Sequence, residues 1–379
     1  MQVSLNGNLV EDIDNCHRYS NMEIYAGADK AWYQAAGSYA GFWKFNPDLA
    51  TGAPVANPTI PQQQAYNPGY GDVSGVIPPA AARTISSGTG EDRLVPLSIM
   101  SGFFKTRQYI PLNLLGELVI SFTLASSTEA VFQVPGATNG DYSLSDIFLE
   151  CDVVQPHFML QELMNKVANS EGENGIVIPY EAPIISAGQT LSSGSNLSVI
   201  VSRATNNLRR LLYAHQLTTG NSSINFPSVS TFGYNATTSW QVRIGSLYFP
   251  SQPATTAARM FGLLQTAYGE AVNDKPGLAN RNIYEETTSL TGTTTKVTSG
   301  RNRYADMFIV GYNFDSYKNT SATQVLDADG VSVLGQAGSQ VVVQVSQTGS
   351  VTPVVALIAT RYLSLMNGSL KIVGVWVPV

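Results

Sequence analysis

Charge, histidine and cysteine are all scarce in this sequence, and each scarcity removes a class of function. Asp, Glu, Lys and Arg together make up only 13% of 379 residues, while 44% are hydrophobic. That balance supplies ample material for burial and excludes general disorder. Lys and Arg number 21 against 27 Asp and Glu, a formal net charge of −6, with an isoelectric point near 5.1. Binding to nucleic acid through its phosphates needs the opposite excess, so neither sequence-independent nor direct sequence-specific nucleic-acid binding is expected. The first residues, "MQVSLNGNLVEDIDN", are acidic, so they form no basic arm. Local basic clusters exist at Arg203, Arg209 and Arg210 and at Arg301 and Arg303; they read as solvated faces or inter-subunit pairing before they read as phosphate sites.

The two cysteines, Cys16 and Cys151, lie far apart without paired metal spacing. A chain of this size needs no bridge; a reduced compartment suits them, and a disulfide between them stays open. The three histidines, His17, His157 and His215, have no helix-spaced partner and no carboxylate motif, so each is assigned a structural role. "LDADGVSVLG" (326–335) starts like a calcium loop, but the carboxylate ladder stops at Asp329 with no glutamate at the closing position; it reads as an Asp-Gly turn. "SSGTGED" (86–92) lacks the lysine of a phosphate loop, and no Gly-x-Ser-x-Gly elbow occurs. The carboxylate pairs Glu91–Asp92 and Glu285–Glu286 have nothing to set them up as acid and base. No catalytic, cofactor or metal residue is therefore nominated, and the chain is read as a non-enzyme.

Long hydrophobic runs are also missing. The most apolar region, residues 351–379, is interrupted by Arg361, Asn367 and Lys371 before about 18 apolar residues accumulate, so a pair of buried strands is expected there. No positive-then-apolar secretory signal opens the sequence. Asn-x-Ser/Thr triplets at Asn196 and Asn235 are what chance gives in so Ser/Thr-rich a chain. The surface that remains is largely Ser, Thr, Asn, Gln and Gly, which suits a protein covered by copies of itself.

A single core stops growing at roughly 250–300 residues, so two domains are expected. A strand–proline–helix unit occurs twice. In the first, Leu144, Ile147, Leu149 and Val153 or Val154 read as a strand, Pro156 ends it, and Phe158, Leu160, Leu163, Met164 and Val167 follow at helical spacing. In the second, Trp240, Val242, Ile244 and Leu247 make the strand, Pro250 and Pro253 interrupt it, and Met260, Phe261, Leu263, Leu264 and Tyr268 give a helix over 257–271. Leu118, Ile120, Phe122 and Leu124 alternate with polar residues as in an antiparallel strand with one buried face. Further strands are expected in "GIVIPYEAPIIS", "QTLSSGSNLSVIVSRA", "NNLRRLLYAHQL", "YADMFIVGYNFD", "VSVLG", "SQVVVQVSQ", "TPVVALIATRYLSLM" and "SLKIVGVWVPV", the third having a helical turn around 208–213 as its alternative. Short strands parted by Gly, Asn, Asp and Ser turns indicate β-sandwiches; helices do not alternate with strands as a parallel α/β fold requires. Residues 1–91 show no sustained period and read as an N-terminal arm and loop-rich segment, followed by a first sandwich over 92–222 and a second over 223–379.

The phrases "RQYIPLNLLGELVISFTLAS" and "YSLSDIFLECDVV", then "QVRIGSLYFPSQP", "YNFDSY" and a valine-rich C-terminal hairpin, resemble the double jelly-roll major capsid proteins of tailless icosahedral DNA viruses over roughly residues 92–379. The resemblance implies an all-β fold of two successive eight-stranded antiparallel jelly rolls with short helical insertions and an extended N-terminal arm. It implies a structural protein that self-assembles as pseudo-hexagonal homotrimers tiling an icosahedral shell around a DNA genome. The protein would reside in the virion capsid after assembly inside the host cell. Its partners would be itself, neighbouring trimers, penton and minor capsid proteins and, where the shell encloses one, an internal membrane. On this reading Trp32, Tyr33, Tyr39, Phe42, Trp43 and Phe45 are the candidates for contact with a neighbouring subunit or a membrane; the alternative is that they pack on their own first roll. The loop over 274–303 is a candidate outer tower or inter-trimer contact, and the two helices would cover sandwich edges. Two other classes compete: a secreted or surface carbohydrate-binding module or adhesin, and a hydrolase on a jelly-roll scaffold.

Overall fold

The structure, a computed structural model, describes residues 1–27, 92–106, 109–127, 141–168, 176–187, 190–201, 205, 207–217, 232, 237–268, 308–314, 340–347, 350–366 and 369–373. The chain begins with a hairpin, inside the segment that the sequence reads as an N-terminal arm and loop. Strands β1 (Gln2–Leu5) and β2 (Asn8–Asp12) are joined by Asn6–Gly7, both at positive φ, 47° and 75°. Asn-Gly suits the mirror-image turn whose twist matches that of the flanking strands. Helix α1 (Cys16–Gly27) follows, and β3 (Leu118–Ser121) pairs with the other edge of β1. Val3, Leu5 and Val10 are fully buried beneath this small sheet. Helix α2 (Phe158–Ala168) forms where the apolar spacing predicts it, but residues 144–154 join no sheet and lie exposed, which corrects the strand expected there.

Eight strands then build two facing sheets: β4 (Ile176–Ala187), β5 (Gly194–Val201), β6 (Leu208–Leu217), β7 (Ser239–Ile244), β8 (Leu247–Ala254), β9 (Ile309–Asn313), β10 (Val341–Gln347) and β11 (Val351–Met366). One sheet runs β4-β11-β6-β9, the other β5-β10-β7-β8, and every pairing is antiparallel. The order has a simple origin. Folded in half at the β7–β8 hairpin, the chain pairs β7 with β8, β6 with β9, β5 with β10 and β4 with β11, and this double ribbon wraps into a jelly roll. The hairpin itself turns on Gly245, at φ 59°. Three of the eight strands come from the N-terminal side of the 222/223 division drawn from the sequence.

Residues 208–217, read as strand with a helical turn over 208–213 as the alternative, are strand β6 throughout. It lies between β11 and β9, and Leu211, Leu212, Tyr213 and Ala214 are all fully buried. Burial on both faces removes the alternation that marks a half-exposed strand. Likewise 239–254 is a hairpin of two strands, not one strand broken by proline. Pro250 and Pro253 sit in β8, at the sheet edge, where proline is tolerated because only one side of the strand is paired. Helix α3 (Ala257–Ala267) is capped by Thr256, whose hydroxyl accepts from the Arg259 amide at 3.2 Å. It buries Met260, Leu264 and Ala267. Strand β9 approaches it at Gly311, where a Cβ would lie 2.7 Å from that of Ala267.

The 16-residue β11 serves two cores. Its first half, with β6, β7 and β10, holds the sandwich core around Trp240, Val343, Val355 and Leu357. Its second half leaves β6 at Ala359 and takes β12 (Ser369–Val373) as partner from Tyr362 onward, while β4 follows it throughout, from Val354↔Ala187 to Leu365↔Ile176. Leu363 and Leu365 of β11 and Ile178, Tyr180 and Ala182 of β4 pack there against Val3, Leu5 and Val10, with Phe103 and Leu115, in a second core.

Candidate functional site

Two charged joints fasten the N-terminal unit to the long β4–β11 pair. The first centres on Glu11 of β2, which is 1% exposed. Its Oε1 accepts from the Phe103 amide at 3.0 Å and its Oε2 from the Ser101 hydroxyl, which in turn accepts from the Phe104 amide at 3.3 Å. The turn at 101–104 is thereby tied to the hairpin. On its other side Gly102 presses so closely on the Glu181 carbonyl that no Cβ fits. Phe103 packs edge-on against Tyr180, whose hydroxyl donates to the Val10 carbonyl at 3.0 Å. Burial raises the Glu11 carboxyl to about 7, against the opposing pull of these hydrogen bonds and of Arg361.

The second joint is an ion cluster. Arg210 of β6 reaches Glu23 of α1 at 3.3 Å and Glu181 of β4 at 3.0 Å through the same nitrogen. Lys105 approaches Glu23 at 3.0 Å and Arg209 approaches Glu181 at 3.3 Å. The Arg210 guanidinium also stacks 4.9 Å from the Tyr268 ring centre. Burial works against the Glu23 charge, but Arg210 and Lys105 outweigh it and hold the carboxyl down at about 2. Glu181 is lowered in the same way by Arg210, Lys105 and Arg209. Arg209 and Arg210 thus pair within the chain. Arg203, Arg301 and Arg303 lie outside the described residues.

Neither joint is arranged for turnover. A carboxyl near 7 is what a general acid needs, but both Glu11 oxygens are engaged by protein groups in a fully packed setting. The histidines stand on separate elements: His17 on α1, His157 exposed beside Phe158, and His215 buried in β6 against Tyr213 and Phe308. Among the described residues no group of three or more His, Cys, Asp or Glu is placed to hold a metal, and no helix is long and apolar enough to cross a membrane. Cys16 is part-buried and Cys151 exposed, both as free thiols.

What is unusual is an apolar flank. Leu144, Ile147, Phe148, Leu149, Val153 and Val154 are all more than half exposed, with Val153 at 88% and Ile147 and Phe148 at 76%. The first turns of α2 continue it with Phe158, Met159, Leu160 and Leu163, while Ala168 at the far end of the helix is buried in the second core. The sequence reading singled out most of these residues as strand and helix formers, and missed that they face outward. The nominated contact residues Trp32, Tyr33, Tyr39, Phe42, Trp43 and Phe45 lie outside the described residues, as do 274–303 and 326–335.

The strand order defines the sandwich as a jelly roll, with a helix inserted between its fifth and sixth strands and a second, N-terminal core attached. No protein-family model and no curated protein matches the sequence. Sixteen chains among the solved structures do match. PBCV-1 VP54, fitted into a reconstruction of the virophage Sputnik, is 7% identical, with 52% of this chain and 51% of that one covered at a TM-score of 0.31. A chain of Sulfolobus turreted icosahedral virus is 12% identical, covering 49% and 38%, at 0.26. A chain of the Sputnik virophage is 15% identical, covering 54% and 40%, at 0.27. The matched part spans about half or less of each of those chains. The fold assignment rests on the strand order itself.

Proposed function

We propose that the chain is a structural subunit of a viral capsid shell, a double jelly-roll major capsid protein that associates with copies of itself and performs no catalysis. The observation that carries this reading is the jelly roll with a helix between its fifth and sixth strands, combined with an apolar stretch that is exposed among the described residues. Jelly rolls serve in capsids, lectins and cupins. A cupin or lectin concentrates its chemistry in a mouth or loop site, whereas among the described residues the buried charged groups are engaged in internal joints and one apolar stretch, 144–163, is exposed. The organisation into two rolls, the homotrimer of pseudo-hexagonal outline, the icosahedral tiling and the location in the virion belong to this proposal. So do the contacts with penton and minor capsid proteins.

Light scattering of the purified chain across a dilution series, with negative-stain images, tests the reading. A trimer of hexagonal outline, or closed shells, is the expected result. A monodisperse monomer at every concentration refutes it and turns attention to binding glycans.

A further inference from the structure

We infer that residues 1–27 form a two-ended clasp, hinged at residues 13–15, whose ends answer pH in opposite directions: the β1–β2 hairpin lifts as the medium turns alkaline, and helix α1 as it turns acid. The inference concerns the chain's own fold and goes beyond the capsid reading. Its first support is the division of the cores. Met1, Val3, Leu5 and Val10 of the hairpin pack in the second core, whereas Ile13 and, on α1, Tyr19, Met22, Ile24 and Ala26 pack in the sandwich core. The change of core falls at the link between β2 and α1, where Asn15 takes a φ of 52°. Proteins open in sub-global units as well as all at once, and here the two halves are seated on different cores, so each can leave while the other stays.

Each half carries one buried carboxylate, and the two are set differently. Glu11 faces the Ser101 hydroxyl, the Gly102 and Phe103 amides, Arg361 of β11 and Tyr180 of β4. Burial outweighs them and holds its carboxyl up at about 7. Glu23 faces Arg210 of β6, Lys105, Tyr19 of its own helix, Tyr268 after α3 and Glu181 of β4. Burial opposes its charge, but Arg210 and Lys105 outweigh burial and hold the carboxyl down at about 2. The seated hairpin therefore binds its proton more tightly than the open state does, and the seated helix less tightly. Seating of the hairpin is complete below about pH 4.5 and weakens as pH rises through 7; seating of α1 is complete above about 4.5 and weakens as pH falls toward 2. The 101–105 turn touches both carboxylates, through Ser101 and Phe103 on Glu11 and through Lys105 on Glu23. Gly102 presses it onto the Glu181 carbonyl of β4, so the turn belongs to the base that either half leaves.

Hydrogen exchange of the full chain from pH 3 to 8, read by mass spectrometry and corrected for the intrinsic pH dependence, tests the clasp on three segments at once: 2–12, 16–27 and, within the sandwich, 239–244. Neither a lone hairpin nor a lone helix of 12 residues is stable in water, so the amides of each half exchange once it lifts. From pH 5 to 8 the opening of 2–12 should rise at least about tenfold while 16–27 stays protected; from pH 5 to 3 the order should reverse, again by at least about tenfold. Segment 239–244 should hold throughout. Glu11→Gln should flatten the first response and leave the second, and Glu23→Gln should do the converse. Loss of protection in 2–12 and 16–27 together, in either direction, overturns the hinge and makes residues 1–27 a single body. Flat profiles in both segments overturn the clasp, as does exchange at 239–244 in step with them, which would mean that pH unfolds the whole chain. The wild-type profiles decide among these outcomes by themselves, so the test does not depend on either variant folding.

Discussion

Raising the pH from 4.5 to 7.5 should loosen the grip of the N-terminal unit on the β4–β11 pair, and Glu11→Gln should abolish that response. The carboxyl sits at about 7 in the folded chain against an ordinary 4.5, so the folded state holds the proton more tightly than the unfolded one. The stabilisation is complete below pH 4.5, where both states are protonated. It declines as pH rises toward 7 and is gone above that. A difference of about 2.5 units corresponds to about 3 kcal/mol, a factor of roughly 300 in the balance between closed and open. Glu11 is almost fully buried, so solvent screening removes little of this. The groups that face it are the Ser101 hydroxyl, the Gly102 and Phe103 amides, Arg361 of β11 and, alongside, Tyr180 of β4. Hydrogen exchange at the Phe103 and Phe104 amides, corrected for the intrinsic pH dependence, reads the opening directly. Glutamine keeps an oxygen for the Phe103 amide and an N–H for Ser101 but cannot ionise, so its protection should be flat over the same range. Equal pH slopes in wild type and variant would refute the assignment of this titration to Glu11.

The ion cluster should respond in the opposite sense. Glu23 is held below its ordinary value, so its contribution is present above about pH 4.5 and is lost as pH falls toward 2, which acid titration followed by tryptophan fluorescence would detect. Arg210→Met leaves Glu23 and Glu181 facing each other without their shared cation, and should cost about 3–5 kcal/mol in urea denaturation; adding Glu23→Gln should recover part of that loss. Gly311→Ala pushes a methyl against Ala267 and should cost about 1–3 kcal/mol, seen as a lowered thermal midpoint with little change in the β-sheet circular dichroism signal.

The sheets were legible in the sequence where burial is one-sided or where β-branched residues run together. β4, β10 and β11 announce themselves through Ile and Val, and both α2 and α3 through apolar residues at three- and four-residue steps. β6 was legible only with a helical turn as its alternative, because Leu208, Leu211 and Leu212 happen to fall at helical spacing, and a strand buried on both faces has no alternation to contradict them. The opening hairpin carried a readable signal, Asn6–Gly7 between Val3, Leu5 and Val10, which the absence of a longer period obscured. The division of the chain illustrates a limit of linear reading. A jelly roll pairs its first strand with its eighth, so strands at 176–217 and 341–366 share sheets although more than 100 residues part them. The charged joints are less legible still: Glu11, Glu23, Lys105, Glu181 and Arg210 stand in unremarkable local contexts, and only the fold assigns them to one another.

The position of β11 sets the order in which this protein can come together during synthesis. It is the partner of β4, β6 and β12 and the strand on which both cores lean, yet it is made long after β4 and β6. Until it emerges from the ribosome, β4 and β6 have no common neighbour and present open strand edges to every other nascent chain nearby. Local pairs such as β1–β2 and β7–β8 can close early, whereas the body of the protein waits on contacts of very long sequence separation. Closure of both cores therefore waits for β11, and a chain truncated before it should be a sticky intermediate, not a smaller stable protein.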